Sequence, residues 1–189
     1  MILLSALNRY NRNFYVPYWY PTTPFEATRE MWRGVHRDAS INRACDFYTK
    51  RNLWALARLW DESTHSKDTR ILSMVHFAIT GTMQAASKMN RHRPKYVPSI
   101  LMGTLYVGSF VEESNILRLL SPRIEKSLGL MSILPKTETC AILCEHAGYL
   151  NSLVDSSIDY IFTDPPFGSN IFYGDCSFLP SGRIHHLWV

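Results

Sequence analysis

Four adjacent residues near the end of the chain combine an acid, two prolines and an aromatic ring: Asp164, Pro165, Pro166 and Phe167. They directly follow the apolar stretch "IDYIF", residues 158–162, which is typical of a β-strand buried on both faces. Because proline lacks the N–H that a central strand donates, strand pairing has to stop here. We therefore expect a stiff loop at the carboxyl end of a strand, where open α/β sheets bind their ligands.

The residue types in this loop suit methyl transfer to the exocyclic amine of a nucleobase. Such an amine is a poor nucleophile because its lone pair is delocalised into the ring. Its hydrogens must be held by acceptors, so that the lone pair points at the methyl donor. The Asp164 carboxylate and the Pro165 carbonyl would be these acceptors, and Phe167 would stack on a base flipped out of the helix. Gly168 would leave room for a bulky planar ligand near the main chain.

Helices are expected to precede this loop and to support it. Apolar periodicity and capping residues predict three of them, at residues 46–63, 67–89 and roughly 112–128. Asp46 or Thr49 can cap the first helix. Its apolar stripe has four members: Leu53, Leu56, Ala57 and Trp60. Gly81 is a weak point in the second helix, and Pro122 is expected to kink the third or to mark a boundary in it.

The chain divides by pattern into three regions: an irregular aromatic-rich segment at 1–46, a helical region with a basic loop at 47–130, and part of an α/β domain at 131–189. In the last region, "CAILCEHAGYL" predicts a strand with a turn, and a second strand leads into the proline loop. This order of helices, strand, loop and strand is typical of part of an α/β sheet. The aromatic run Tyr18, Trp19 and Tyr20 could stack on nucleotide, although such density favours a core.

A cluster of cations without an acid spans the end of the second predicted helix and the residues after it: Lys88, Arg91, His92, Arg93 and Lys95, with Tyr96 beside it. These residues could contact DNA phosphates, each contact adding salt-dependent affinity. They could equally form a solvated helix end, where cations satisfy the helix dipole. Beyond the proline loop, Asn170 and Tyr173 are candidates for lining a base pocket.

Composition describes a folded chain with no metal or membrane signal. The 189 residues are 46% hydrophobic and 19% charged, with a net charge of +4 that is compatible with a polyanionic partner. No histidine or cysteine pattern has metal-ligand spacing, and no stretch approaches the 18 apolar residues of a membrane span. The start is a poor signal peptide. We read the four cysteines as reduced thiols in a cytoplasmic protein: Cys45, Cys140, Cys144 and Cys176.

Five stretches together resemble the central and catalytic part of large prokaryotic site-specific DNA amino-methyltransferases: "PYWYPT", "DFYTKRNLWALARLW", "ASKMNRHRP", "GTLYVGSF" and "DYIFTDPPFGSNIFY". The resemblance covers residues 15 to about 179. It implies a partial Rossmann-like, S-adenosylmethionine-dependent methyltransferase fold behind a helical, loop-rich region. It also implies DNA as partner and N6 of adenine or N4 of cytosine as acceptor. In that fold an acid before the motif strand touches the cofactor adenine, and Glu145 lies nearest to that place.

The sequence departs from this family at the cofactor loop. Family members hold the methionine end of the cofactor with a glycine-rich loop, whereas no two of the nine glycines here are separated by a single residue. We therefore expect a fragment that is weakly active or inactive alone, and whose partner would be the missing N-terminal part of the parent enzyme. The alternatives are an amino-methyltransferase acting on RNA, such as guanine of tRNA, and a non-catalytic remnant that binds nucleic acid.

Overall fold

The computed structural model describes residues 2–3, 15–26, 28–29, 31–133, 143, 145–146, 148–163 and 173–176. Its helices are α1 (Gly34–Asp38), α2 (Lys50–Ser63), α3 (Thr69–Met83), α4 (Ile116–Ile133) and α5 (Tyr173–Cys176), with a 3₁₀ helix at Ala44–Phe47. Two short strands, β1 (Ile2–Leu3) and β2 (Phe110–Val111), pair antiparallel. The described part of the chain is thus mainly helical, and the partial Rossmann-like fold of residues 131–189 stays a prediction.

Helix α2 confirms the prediction for its stretch of sequence. The hydroxyl of Thr49 accepts a hydrogen bond from the backbone N–H of Asn52 at 3.2 Å, which caps the first turn. All four residues of the expected apolar stripe are buried. Asp46, the other candidate cap, instead accepts from the N–H groups of Asn42 and Arg43 and so fixes the start of the 3₁₀ helix.

A carboxylate from a distant part of the sequence contacts the basic first turn of α2. Lys50 and Arg51 oppose the helix dipole, which favours negative charge at this end. Glu113 supplies that charge: its carboxylate accepts from the Thr49 hydroxyl and, at 2.8 Å, from Arg51 Nη2. The contact fixes the start of α2 against the segment that leads into α4.

Helix α3 is capped by Asp68 and ends at Met83, six residues before the predicted end. Tertiary hydrogen bonds replace the helical ones after that point. The N–H of Lys88 donates to the carbonyl of Phe47 at 2.6 Å, and Asn52 Nδ2 donates to the carbonyl of Ala86 at 2.9 Å. The predicted boundary was wrong because these long-range partners, one an acceptor and one a donor, compete with the local i to i−4 pattern.

Helix α4 begins later than predicted because Asn115 caps it. The Asn115 side-chain oxygen accepts from the N–H groups of Leu117 and Arg118 at 2.9 and 3.2 Å. Pro122 lies inside the helix. Helix α4 packs on α3, where Gly81 permits close approach, since an added Cβ there would lie 2.9 Å from Arg123 Nη1.

The aromatic residues before α2 close one side of the core. Phe25, Ile41 and Phe47 are buried together with the apolar face of α2. Tyr18 packs edge-on against Trp54, with ring centroids 5.6 Å apart. The region predicted as irregular therefore does contain two short helical elements, α1 and the start of the 3₁₀ helix.

The stretch 158–162 differs from its predicted state. The structure describes these residues as irregular backbone, and Tyr160, Ile161 and Phe162 are 80%, 74% and 81% exposed. The prediction of a buried strand is wrong here because a strand needs a hydrogen-bonding neighbour, and the described residues offer none beside it. A turn at His146–Tyr149 is present, with an N–H to carbonyl distance of 2.8 Å. No helix among the described residues is long and apolar enough to cross a bilayer.

Candidate nucleic-acid interface

Residues 91–99, which we call the basic loop, leave the helical body and return to it, and hydrogen bonds hold the loop at its base. The N–H of Arg91 donates to the carbonyl of Ser99 at 3.3 Å and closes the loop at its base. The N–H of His92 donates to the carbonyl of Phe110 at 3.1 Å, and the His92 ring contacts Glu112. These bonds fasten the loop to β2, so its tip projects from a fixed support.

The tip of the basic loop is a β-turn over Arg93–Tyr96. The N–H of Tyr96 donates to the carbonyl of Arg93 at 3.1 Å, and Pro94 occupies the position where its fixed φ favours such a turn. The Arg93 guanidinium lies 4.6 Å from the centre of the Tyr96 ring, and its Nη1 donates to the Ser99 hydroxyl at 3.2 Å. Lys95 is exposed beside them.

The positive charges of the basic loop have no acidic residue near them in the sequence before Glu112. There is no Asp or Glu between residues 84 and 111. Glu112 faces His92 at 3.1 Å, and Glu113 is already bonded to Arg51. The alternative of a helix end is wrong for these cations, because α3 ends at Met83 and the loop has no helical residues.

Lys88 does not belong to this surface. Its side chain is 5% exposed, and its ammonium donates to the backbone carbonyl of Asp46 at 2.8 Å. Burial lowers the pKa of Lys88 to about 8, an effect that the nearby Asp46 carboxylate partly offsets. A phosphate contact through Lys88 is therefore not supported, and the candidate set on the loop becomes Arg91, Arg93 and Lys95.

Arg91 lies at the base of the loop rather than at its tip. It is half-buried, and its Nε is enclosed without a hydrogen-bond partner. A cavity of about 310 Å³ lies next to it, lined in part by His36, Tyr106 and Gly108. His36 shapes this wall with both ring nitrogens engaged: Nδ1 accepts from the N–H of Arg33 at 3.1 Å, and Nε2 donates to the carbonyl of Leu105 at 2.8 Å.

The four residues predicted for catalysis lie outside those that the structure describes: Asp164, Pro165, Pro166 and Phe167. The same holds for Gly168, predicted to leave room for the ligand, and for Asn170, predicted to line the base pocket. Tyr173 begins α5. Glu145 is described and exposed, and both of its carboxylate oxygens accept from Ser152, one from the hydroxyl and one from the N–H. Glu145 thus closes a local loop with Ser152, and its role beside the cofactor stays a prediction.

Helix α5, just beyond the predicted pocket residues, is anchored to the N-terminal part of the chain. Asp175 is 7% exposed and accepts from Arg29 Nη1 at 2.9 Å and from the N–H of Met31 at 3.0 Å. The Cys176 sulfur lies 3.7 Å from the Met31 sulfur. Sequence reasoning missed this contact, since a lone Asp near the end of a chain carries no local pattern.

The aromatic run at residues 18–20 is divided between two environments. Tyr18 is half-buried, and its hydroxyl accepts from Arg58 Nη1 at 2.7 Å. Tyr20 is likewise half-buried against the core, whereas Trp19 is exposed. The prediction of a packing role is confirmed for two of the three residues.

Comparison of the chain with protein-family models, with curated proteins and with solved structures finds no match.

Proposed function

We propose that this chain carries the catalytic loop of an S-adenosylmethionine-dependent methyltransferase that acts on N6 of adenine or N4 of cytosine in DNA. The observation that carries this proposal is the sequence Asp164-Pro165-Pro166-Phe167 directly after the β-forming stretch 158–162. Carboxylate, rigid carbonyl and ring are the groups that hold and stack a flipped base. S-adenosylmethionine would supply the methyl group, and the cytoplasm is the compartment where the chain would meet DNA.

The exposed stretch 158–162 supports a need for a companion polypeptide. Three large apolar side chains of β-forming type are almost fully open to solvent there, which is unusual for a folded chain that acts alone. The sequence also contains no glycine-rich cofactor loop. We infer that a second polypeptide with that loop would pair a strand with residues 158–162 and so complete the cofactor site. The missing part of a parent methyltransferase is the natural candidate for this partner.

A non-catalytic role in nucleic-acid binding is the second candidate. It is favoured by the same missing glycine loop, together with the pinned basic loop, which needs no cofactor to contact phosphates. In this reading the proline loop is inherited and the chain binds without chemistry.

Transfer of labelled methyl from S-adenosylmethionine tests the proposal. The folded chain is incubated with unmethylated DNA and, in parallel, with tRNA, each with and without a companion polypeptide that contains a glycine-rich methyltransferase loop. We expect label in DNA when the companion is present, and loss of at least about 100-fold in an Asp164→Ala variant, in line with removal of a group that activates the nucleophile. Asp155→Ala, at an exposed acid outside both the proline loop and the stretch 158–162, is the matched control and should retain activity.

Three results would speak against methyl transfer to DNA by this chain. Label in tRNA alone would move the function to RNA. Equal activity of the Asp164→Ala variant would show that the motif is not catalytic. No label on either substrate from a chain shown to be folded and bound to its companion would leave nucleic-acid binding as the function.

A further inference from the structure

We propose that the tip of the basic loop binds an unpaired nucleotide of DNA, with its base stacked on Tyr96 and the adjoining phosphates contacted by Arg93 and Lys95. This inference rests on the proposed function and deepens it, because it names the state of DNA that the chain recognises. It assigns to Tyr96 the role of a stacking platform and to the two cations the role of holding the strand across it.

The first support is the area that Tyr96 offers. Its side chain is 67% exposed even though the Arg93 guanidinium lies 4.6 Å from the ring centre. Most of the ring is therefore free for a further planar group. Val97, the next residue, is also largely exposed and extends the apolar surface around the ring. Stacking of a base on an exposed aromatic side chain contributes roughly 1–3 kcal/mol and tolerates any base.

The second support is the rigidity of the tip. Pro94 lies within the turn and Pro98 precedes the closing bond at Ser99, so two of the residues between Arg91 and Ser99 have fixed φ angles. Arg93 is held twice, by the Tyr96 ring and by the Ser99 hydroxyl. A ligand that meets this loop has little conformational entropy to remove, which favours binding over an equally charged flexible loop.

The third support is the match between this geometry and unpaired, rather than paired, nucleotides. In a duplex both faces of each base are covered by neighbouring bases, so an aromatic ring at a loop tip has no face to stack on. An unpaired base offers its face while its phosphates remain within reach of nearby cations. Residues 84–111 contain no acid, so among the described residues the only carboxylate that the structure places against the loop is that of Glu112, which is paired with His92 at the base of the loop.

Fluorescence anisotropy with a labelled 20-nucleotide DNA strand tests this, beside the same strand in a perfect duplex and in a duplex with one bulged base. No S-adenosylmethionine is added, so the result is independent of methyl transfer. We expect tighter binding to the single strand and to the bulge than to the duplex. Tyr96→Ala should weaken single-strand binding at least about fivefold, the equivalent of the lower stacking estimate, and Tyr96→Phe should retain it.

The cations are tested by the salt dependence of the same binding. Lys95→Ala should weaken binding to every DNA form and lower the slope of log affinity against log salt by about 0.7 for the single strand. The matched controls are Tyr149→Ala, an equally exposed tyrosine, and Lys126→Ala, an exposed lysine on α4. Neither control should change affinity.

Several outcomes would overturn the inference. Equal affinity for duplex and single strand would remove the stacking argument, as would an unchanged affinity of Tyr96→Ala. A loss in Tyr149→Ala as large as that in Tyr96→Ala would show non-specific stacking. Tighter binding of an RNA strand than of the DNA strand would assign the loop to RNA. Melting curves of each variant confirm that the exposed substitutions leave the fold intact.

Discussion

At the scale of single residues, Lys88 shows how burial changes what a cation can do. The ammonium lies next to the Asp46 carbonyl and away from solvent, and its pKa falls to about 8 from a usual value of 10.5. Between those values the unfolded chain holds a proton that the folded chain has released. The free energy of unfolding must therefore rise with pH in this window.

We expect the free energy of unfolding to increase by roughly 1 kcal/mol between pH 8 and pH 9 because of Lys88. Burial raises the pKa of the Cys45 thiol from 9.0 to about 11, which lowers stability as pH rises above 9. Because the thiol acts in the wild type and in a Lys88 variant alike, the difference between the two chains isolates the lysine. Urea denaturation at several pH values should show the increase in the wild type and its loss in Lys88→Met.

Lys67→Met is the control for this prediction, since Lys67 is exposed and its loss should leave the pH dependence unchanged. A wild-type stability that stays flat or falls over this range would contradict the burial of a charged ammonium. The sequence could not distinguish Lys88 from its neighbours Arg93 and Lys95. The sequence alone does not reveal whether a lysine side chain is exposed to water or bonded to a carbonyl 42 residues away.

At the scale of elements, Gly81 and Gly129 form a matched pair of glycines within helices. A Cβ on Gly81 would lie 2.9 Å from Arg123 Nη1, whereas a Cβ on Gly129 would meet nothing within 4 Å. Alanine reduces the entropy that either position loses on folding, by about 0.4–1 kcal/mol. The tip of an arginine side chain can move aside at low cost.

We expect both Gly81→Ala and Gly129→Ala to raise the free energy of unfolding, by about 0.4–1 kcal/mol each, with the smaller gain at Gly81. The difference between the two variants measures the cost of displacing Arg123 from the contact between α3 and α4. Thermal and urea denaturation check the prediction. A net destabilisation by Gly81→Ala would mean that Arg123 is fixed where it lies and is part of the helix contact.

The helices also show which features a sequence can predict. Thr49, Asp68 and Asn115 mark helix starts through bonds to residues two or three positions away, so local pattern is enough for the cap of α2 and for its buried stripe. The end of α3 depends on Phe47, far away in sequence, and was placed too late. At the candidate interface, proline positions predicted a loop, but its closure by Arg91 and Ser99 depends on backbone pairing that no residue type specifies.

At the scale of the whole molecule, Asp175 joins the two ends of the described chain. Its carboxylate bonds to Arg29 Nη1 and to the Met31 N–H, and hydrogen bonds to a charged group contribute about 1.5–3 kcal/mol. In Asp175→Ala, the Met31 amide should exchange its hydrogen roughly 10- to 100-fold faster, because that contribution no longer protects it. Hydrogen-exchange mass spectrometry of the peptide around Met31 makes the measurement.

Asp155→Ala, at an exposed acid, should leave exchange at Met31 as it is in the wild type. If Asp175→Ala also left it unchanged, the carboxylate would not be what protects that amide. The same anchor bears on the proposed chemistry, since Asp175 follows Phe167 by eight residues. A short stretch of sequence therefore connects the proposed catalytic residues to an anchored helix.

The contact between Arg29 and Asp175 can form only late during synthesis of the chain. Its two residues are 146 positions apart, and a ribosome adds about 5–20 residues per second, so roughly 7–30 s separate their emergence. Helices α2, α3 and α4 can assemble within that interval, whereas the docking of α5 has to wait until Asp175 has been synthesised. The nascent chain therefore passes through a stage in which the helical body is complete and α5 is not yet attached.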